Sequence, residues 1–153
     1  MRFPATAAVF SGILVLLLAP IDSRAAAPTA CQLLDAKSAS SLLGEEAGPP
    51  TEMQGKLCIY SAKKGDGEVT LGFNTADEAR FTHAEQAAKA AAGTTVEEPS
   101  GLGDRSMLVE QADGTTLGVL YHGQSVGLSV KRKLTPELKA QMIQVMKQVL
   151  GKL

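Results

Sequence analysis

The sequence predicts an α+β fold: an antiparallel β-sheet of about five or six strands with helices packed mainly on one face. Three observations point there. Short alternating runs cluster and are joined by tight turns rich in glycine, the habit of antiparallel pairs. An alanine-rich segment splits these runs and an amphipathic segment closes them, both with helical composition or spacing. Strands and helices do not alternate one for one, which sets the chain apart from doubly wound parallel folds.

Residues 1–25 read as a secretory signal peptide. Arg2 is followed by an apolar stretch from Ala5 to Ala19, too short for a comfortable membrane span, and then by small residues. Ser23 and Ala25 stand at −3 and −1 for cleavage after Ala25; the other choice, after Ala27, would leave Pro28 next to the cut. The rest of the chain, residues 26–153, has the length of a single exported domain. The chain has 15 basic and 16 acidic residues, of which Arg2, Arg24 and Asp22 precede residue 26, so the domain carries a net charge near −2. That balance lacks the basic footprint needed for nucleic acid or an anionic membrane surface. No stable membrane insertion is expected once the signal is removed.

Asp35 is placed to cap a helix over Ala36–Leu43, with Gly44 just past its end. "GEEAGPPTEMQG" then reads as an exposed loop. Leu57–Ala62 and Glu68–Asn74 flank "KKGDG" and predict a hairpin. "ADEARFTHAEQAAKAAA", ending before Gly93, predicts a helix with Phe81, Ala84, Ala88 and Ala91 on one face. Val96 falls in a possible further strand. Arg105–Gln111, Thr115–His122 and Ser125–Lys131, separated by "ADG" and "HGQ", predict a meander. Thr135 as cap and Pro136 at the first turn open a closing helix with Leu138, Met142, Val145, Met146, Val149 and Leu153 at helical spacing.

Cys31 poses a choice between a lipid anchor and a disulfide with Cys58. An anchor cysteine follows directly on the apolar core behind an aliphatic residue at −3. Here Pro28 holds that position and the apolar run ends about ten residues earlier. An exported chain with two cysteines matures where thiols oxidise, so a Cys31–Cys58 disulfide is expected and lipid anchoring at Cys31 is not.

"CQLLDAKSASSLLGEE", "CIY" at a strand start, "GLGD" before the later strands and a closing helix ending "VLGKL" together resemble a family of small secreted bacterial lipoproteins of unknown function, best known from actinobacteria. The resemblance spans nearly all of residues 26–153. It implies a disulfide equivalent to Cys31–Cys58 and a helix-on-sheet fold of PsbP-like type. The family has no agreed activity, so the resemblance implies no catalytic residue.

Catalytic signatures are absent from the sequence. The two histidines, His83 and His122, are expected at the surface, and with both cysteines oxidised no zinc ligand set remains. Neither a nucleophile elbow nor a Walker loop occurs. The chain is therefore read as a non-enzyme with no metal and no cofactor. Gly101, Leu102, Gly103 and Asp104 could cradle an anion through backbone N–H groups; the plainer reading is a turn with Leu102 in the core and Asp104 as its cap. Lys131–Lys133 reads first as a solvated connection.

One pattern points to recognition. If Val69, Leu71, Phe73, Leu117, Val119, Tyr121, Val126, Leu128 and Val130 face the core, then Thr70, Gly72, Gly118, Leu120, Ser125, Gly127 and Ser129 share the opposite face. Glycine inside a strand often marks close approach by another backbone or a ligand. That face is a candidate docking surface, unless another element of the chain, such as the first helix held by the disulfide, covers it. The expected role is a domain, periplasmic or extracellular, that binds a protein or other cell-envelope component. The alternative is a carrier of a small apolar ligand between helices and sheet.

Overall fold

The computed structural model describes residues 27–153; the signal peptide expected over residues 1–25 and its candidate cleavage site after Ala25 lie outside them. In chain order the elements are α1 (Ala30–Leu33), α2 (Ala36–Leu43), β1 (Thr51–Met53), β2 (Leu57–Ser61), β3 (Glu68–Thr75), α3 (Glu78–Ala90), β4 (Thr95–Glu97), β5 (Arg105–Gln111), β6 (Gly114–Tyr121), β7 (Gln124–Val130) and α4 (Pro136–Leu150).

Local chemistry sets the helix boundaries. The Asp35 carboxylate accepts from the Ser38 N–H at 2.7 Å, Asp77 accepts from Arg80 at 2.8 Å, and the Thr135 hydroxyl accepts from Leu138 at 3.1 Å, each answering a donor that the first turn leaves unpaired. The Ser38 backbone bond holds the Asp35 carboxyl below its usual range. Gly44 ends α2 in the left-handed region at φ 73°.

All seven strands are antiparallel, in the order β1-β2-β3-β7-β6-β5-β4. The fold class is as the sequence implies, with one or two strands more than expected. The extra edge strand β1 lies inside "GEEAGPPTEMQG". Gln54 and Gly55, both at positive φ, return the chain from β1 onto β2, the paired left-handed conformation of tight hairpins. His122 and Gly123 make the same turn between β6 and β7, so His122 is a turn residue and not the end of a strand.

Alternation along the strands sorts the side chains as the sequence predicts. Val69, Leu71, Leu117, Val119, Val126, Leu128 and Val130 are buried against α1, α2 and α4, where Leu33, Leu42, Leu138, Met142, Met146 and Val149, with Leu34 just after α1, complete the core; Leu153 does not join them, because α4 ends at Leu150 and leaves it exposed. Each fully buried side chain of this kind contributes roughly 1.5–3 kcal/mol. Cys31 and Cys58 form a disulfide, with Cα atoms 5.0 Å apart. It fastens α1 to β2 on the core face, where the buried Tyr60 hydroxyl also donates to the Leu34 carbonyl at 3.2 Å. Burial, with the Asp35 charge adding to it, raises the Tyr60 pKa.

Arg132 has a role that its neighbours Lys131 and Lys133 lack. Both lysines are exposed, but the Arg132 guanidinium reaches back over Gly44 and donates to the Leu42 carbonyl at 2.8 Å. A cation is thus fixed on the C-terminal carbonyls of α2, where the helix dipole favours it.

Candidate docking face

The seven residues singled out above, six of them small and the seventh Leu120, lie together on the side of the sheet away from α1, α2 and α4. Strand register aligns one transverse row across six strands: Met53, Leu57, Gly72, Gly127, Gly118 and Met107 are successive cross-strand partners. A second row runs through Ile59, Thr70, Ser129 and Thr116, where the Thr116 and Ser129 hydroxyls are 2.9 Å apart.

The helix α3 divides this face in two. Phe81 lies over Gly118, 3.8 Å from where a Cβ would stand, and Met107 fills the space beside it. Phe81, Val109 and Leu120 are buried outside the main core. Gly118 and Leu120 are thus covered, and Thr70, Gly72, Ser125, Gly127 and Ser129 stay partly open. The cover is α3; the first helix packs on the opposite face.

The predicted contact face of α3 needs correction. Of Phe81, Ala84, Ala88 and Ala91, only Phe81 is buried, and its buried partner in the helix is Glu85, one turn on. Arg105 explains the substitution of charge for alanine. It projects from β5 and donates to the Thr82 hydroxyl at 2.6 Å and to the Glu85 carboxylate, with its guanidinium carbon 5.5 Å from the Phe81 ring centre. Lys89 pairs with Glu85 and, at 3.0 Å, with Glu98. The Lys89 hydrogen bond, aided by the Lys89 and Arg105 charges, holds the Glu85 carboxyl below its usual range, and Glu85 in turn raises the Lys89 pKa. The i,i+4 spacing of Glu85 and Lys89 was the available sequence signal; Arg105, 20 residues away from Glu85, offered none.

The glycines on the open side differ in what they leave free. A Cβ on Gly72 would stand 3.0 Å from Leu57 Cδ1, so Leu57 leans over it. A Cβ on Gly127 would meet nothing nearer than the Gly72 carbonyl oxygen, at 4.0 Å. Gly127 is thus the floor of a notch walled by Leu57 on one side and by Met107 and Phe81 on the other. The notch adjoins a cleft of about 470 Å³ whose lining includes Phe81, Met107, Ser125 and Asn74 and two cations, Lys56 and Arg80.

The "GLGD" segment is arranged as a turn. Leu102 is buried in the main core, a Cβ on Gly103 would collide with the Leu120 carbonyl oxygen, and the Asp104 carboxylate accepts from the His122 N–H at 3.0 Å. A carboxylate on the donors of the adjoining turn leaves this loop poorly suited to an anion. His83 and His122 are exposed, and among the described residues no cluster of three or more His, Cys, Asp or Glu side chains is placed to hold a metal ion. Nor, among those residues, is any helix long and apolar enough to cross a membrane.

No protein-family model matches the chain, and no curated protein matches it significantly.

Proposed function

We propose that this chain is an exported, non-enzymatic domain that docks a protein or another cell-envelope component through the open part of its outer sheet face. The uncovered centre of that face around Gly127 carries the reading: strands β3 and β7 present Thr70, Gly72, Ser125, Gly127 and Ser129 there, beside Leu57 and Ile59 of β2, without a covering element. The Cys31–Cys58 disulfide supports maturation in an oxidising compartment, periplasmic or extracellular. The densest group of charged side chains, Glu85, Lys89, Glu98 and Arg105, is mutually compensating and fastens α3, so it offers no free acid, base or nucleophile.

Site-specific photocrosslinking in the envelope tests this. A crosslinking residue at Ser129 is expected to trap an envelope component, whereas one at Gln144, exposed on α4, is not. Equal adducts from both positions, or none from Ser129, would overturn the docking reading.

A second reading, carriage of a small apolar ligand, has one supporting feature. At one end of the helix and sheet layers an open cleft of about 440 Å³ is lined by Phe73, Pro28, Leu153, Gln54 and Gln124 among others. Lipid co-purifying with the protein by mass spectrometry, and lost in Phe73→Asp, would favour it.

A further inference from the structure

We infer that the occupant of the open outer face is a second copy of this chain, seated about a two-fold axis that runs parallel to the strands. The inference rests on reading that face as a docking surface and names its partner. A two-fold interface places the same patch on both sides, so the patch must be complementary to itself. The transverse row meets that condition. It holds one protruding side chain, Met53, which is 53 % exposed, and one open notch, at Gly127, three strands away. A two-fold axis over the boundary between β2 and β3 maps β1, β2, β3 and β7 of the row onto their counterparts, setting Met53 of each copy on Gly127 of the other, with the two Leu57 side chains, each leaning over its own Gly72, meeting near the axis. An axis perpendicular to the strands would instead set each protruding side chain over its own strand's counterpart.

Three further observations agree. The uncovered strands are β1, β2, β3 and β7, and this axis covers all four, while α3 occupies the rest of the layer. On the outer face of those strands the only charged side chain is Glu68, at the rim beside the start of the β7–α4 connection, where the Lys131 N–H bonds its carbonyl at 2.8 Å. The strand surface itself is thus nearly neutral, and two cations, Lys56 and Arg80, stand at its border in the cleft beside α3. Met53 is also well suited to fill an irregular notch, being unbranched and flexible. The footprint is about 20 Å across the strands and about 17 Å along them, which places the contact at the small, weak end of specific interfaces.

Sedimentation equilibrium of the exported, disulfide-bonded protein from about 1 μM to about 1 mM tests this, and a reversible dimer is expected inside that range. Gly127→Glu, which the monomer has room for, and Met53→Lys are each expected to weaken the dimer at least about tenfold, at unchanged Tm. The double variant Met53→Lys/Gly127→Glu is expected to restore association to within about threefold of the parent, because each lysine then meets the other copy's glutamate. Within one chain those positions lie about 14 Å apart, too far to pair. A monomer at 1 mM, single variants that dimerise like the parent, or a double variant no better than either single would each overturn the inference. Crosslinking from Ser129 to an envelope component in a strictly monomeric protein would overturn it too, while leaving the docking reading intact.

Discussion

Replacing the Cys31–Cys58 pair by alanine separates what the bridge does from what the core does. The cysteines are 27 residues apart in sequence. In the chain-entropy model, closing a loop of about 28 residues restricts the unfolded chain by roughly 12 cal/mol/K, or about 3.5 kcal/mol at 25 °C. Cys58 is fully buried, so its truncation adds about 1 kcal/mol of lost packing, whereas Cys31 is only partly buried and adds less. The expected loss for Cys31→Ala/Cys58→Ala is therefore about 4–5 kcal/mol. With about 2.1 cal/mol/K of unfolding entropy per residue, a domain of this length should melt about 15 °C lower. Urea titration followed by far-UV circular dichroism measures the change directly, and reduction of the parent protein isolates the loop term from the packing term. The reduced parent should fall between the oxidised parent and the variant. A variant within about 1 kcal/mol of the oxidised parent would refute the assignment of stability to this loop.

Two other outcomes follow from particular side chains. Arg132→Met keeps the stem but removes the donor to the Leu42 carbonyl; it should destabilise the domain by about 1–2 kcal/mol in urea titration, with amide exchange rising first in the last turn of α2. Glu85 has its pKa lowered in the fold, chiefly by Lys89, so its contribution is present above the unfolded value, near 4.5, and is lost as pH falls through the folded one. Hydrogen exchange at a series of acid pH values should therefore show α3 loosening before α4, facing as it does Arg105, Lys89, Glu98 and Glu78; co-equal loosening of the two helices would refute the role given to Glu85.

The core was legible from sequence because strand alternation has a period of two and burial selects one phase of it. Val69 and Leu71, or Val126, Leu128 and Val130, need no knowledge of their partners to be placed. The same period fixed the membership of the outer face. What covers that face was not legible: α3 buries only Phe81 and Glu85 along 13 residues, and an alanine-rich helix without a strong apolar stripe does not announce the surface it lies on. The strand β1 was missed for a related reason. Three residues flanked by glycines and prolines become a strand only because β2 is there to pair with them, and the interaction is tertiary in origin. Arg132 is the clearest case of a long-range effect, since its acceptor lies 90 residues earlier.

Glycine within a strand costs roughly 0.5–1 kcal/mol relative to residues with a side chain, and three of them stand side by side at Gly72, Gly127 and Gly118. For two of the three the structure shows a local return: Leu57 packs over Gly72, and Met107 and Phe81 pack over Gly118. A side chain at either position would displace those contacts. Gly127 has no such return inside the monomer, so Gly127→Thr, which suits a pleated strand and has open space to enter, should stabilise the domain by about 0.5–1 kcal/mol in urea titration. The same substitution fills the notch that receives Met53 of the second copy and should weaken the dimer several-fold by sedimentation. A gain in monomer stability combined with a loss of association is the signature of a residue kept for contact rather than for folding. If Gly127→Thr instead destabilised the monomer, the notch would be part of the fold's own packing, and both the docking face and its occupant would have to be sought elsewhere.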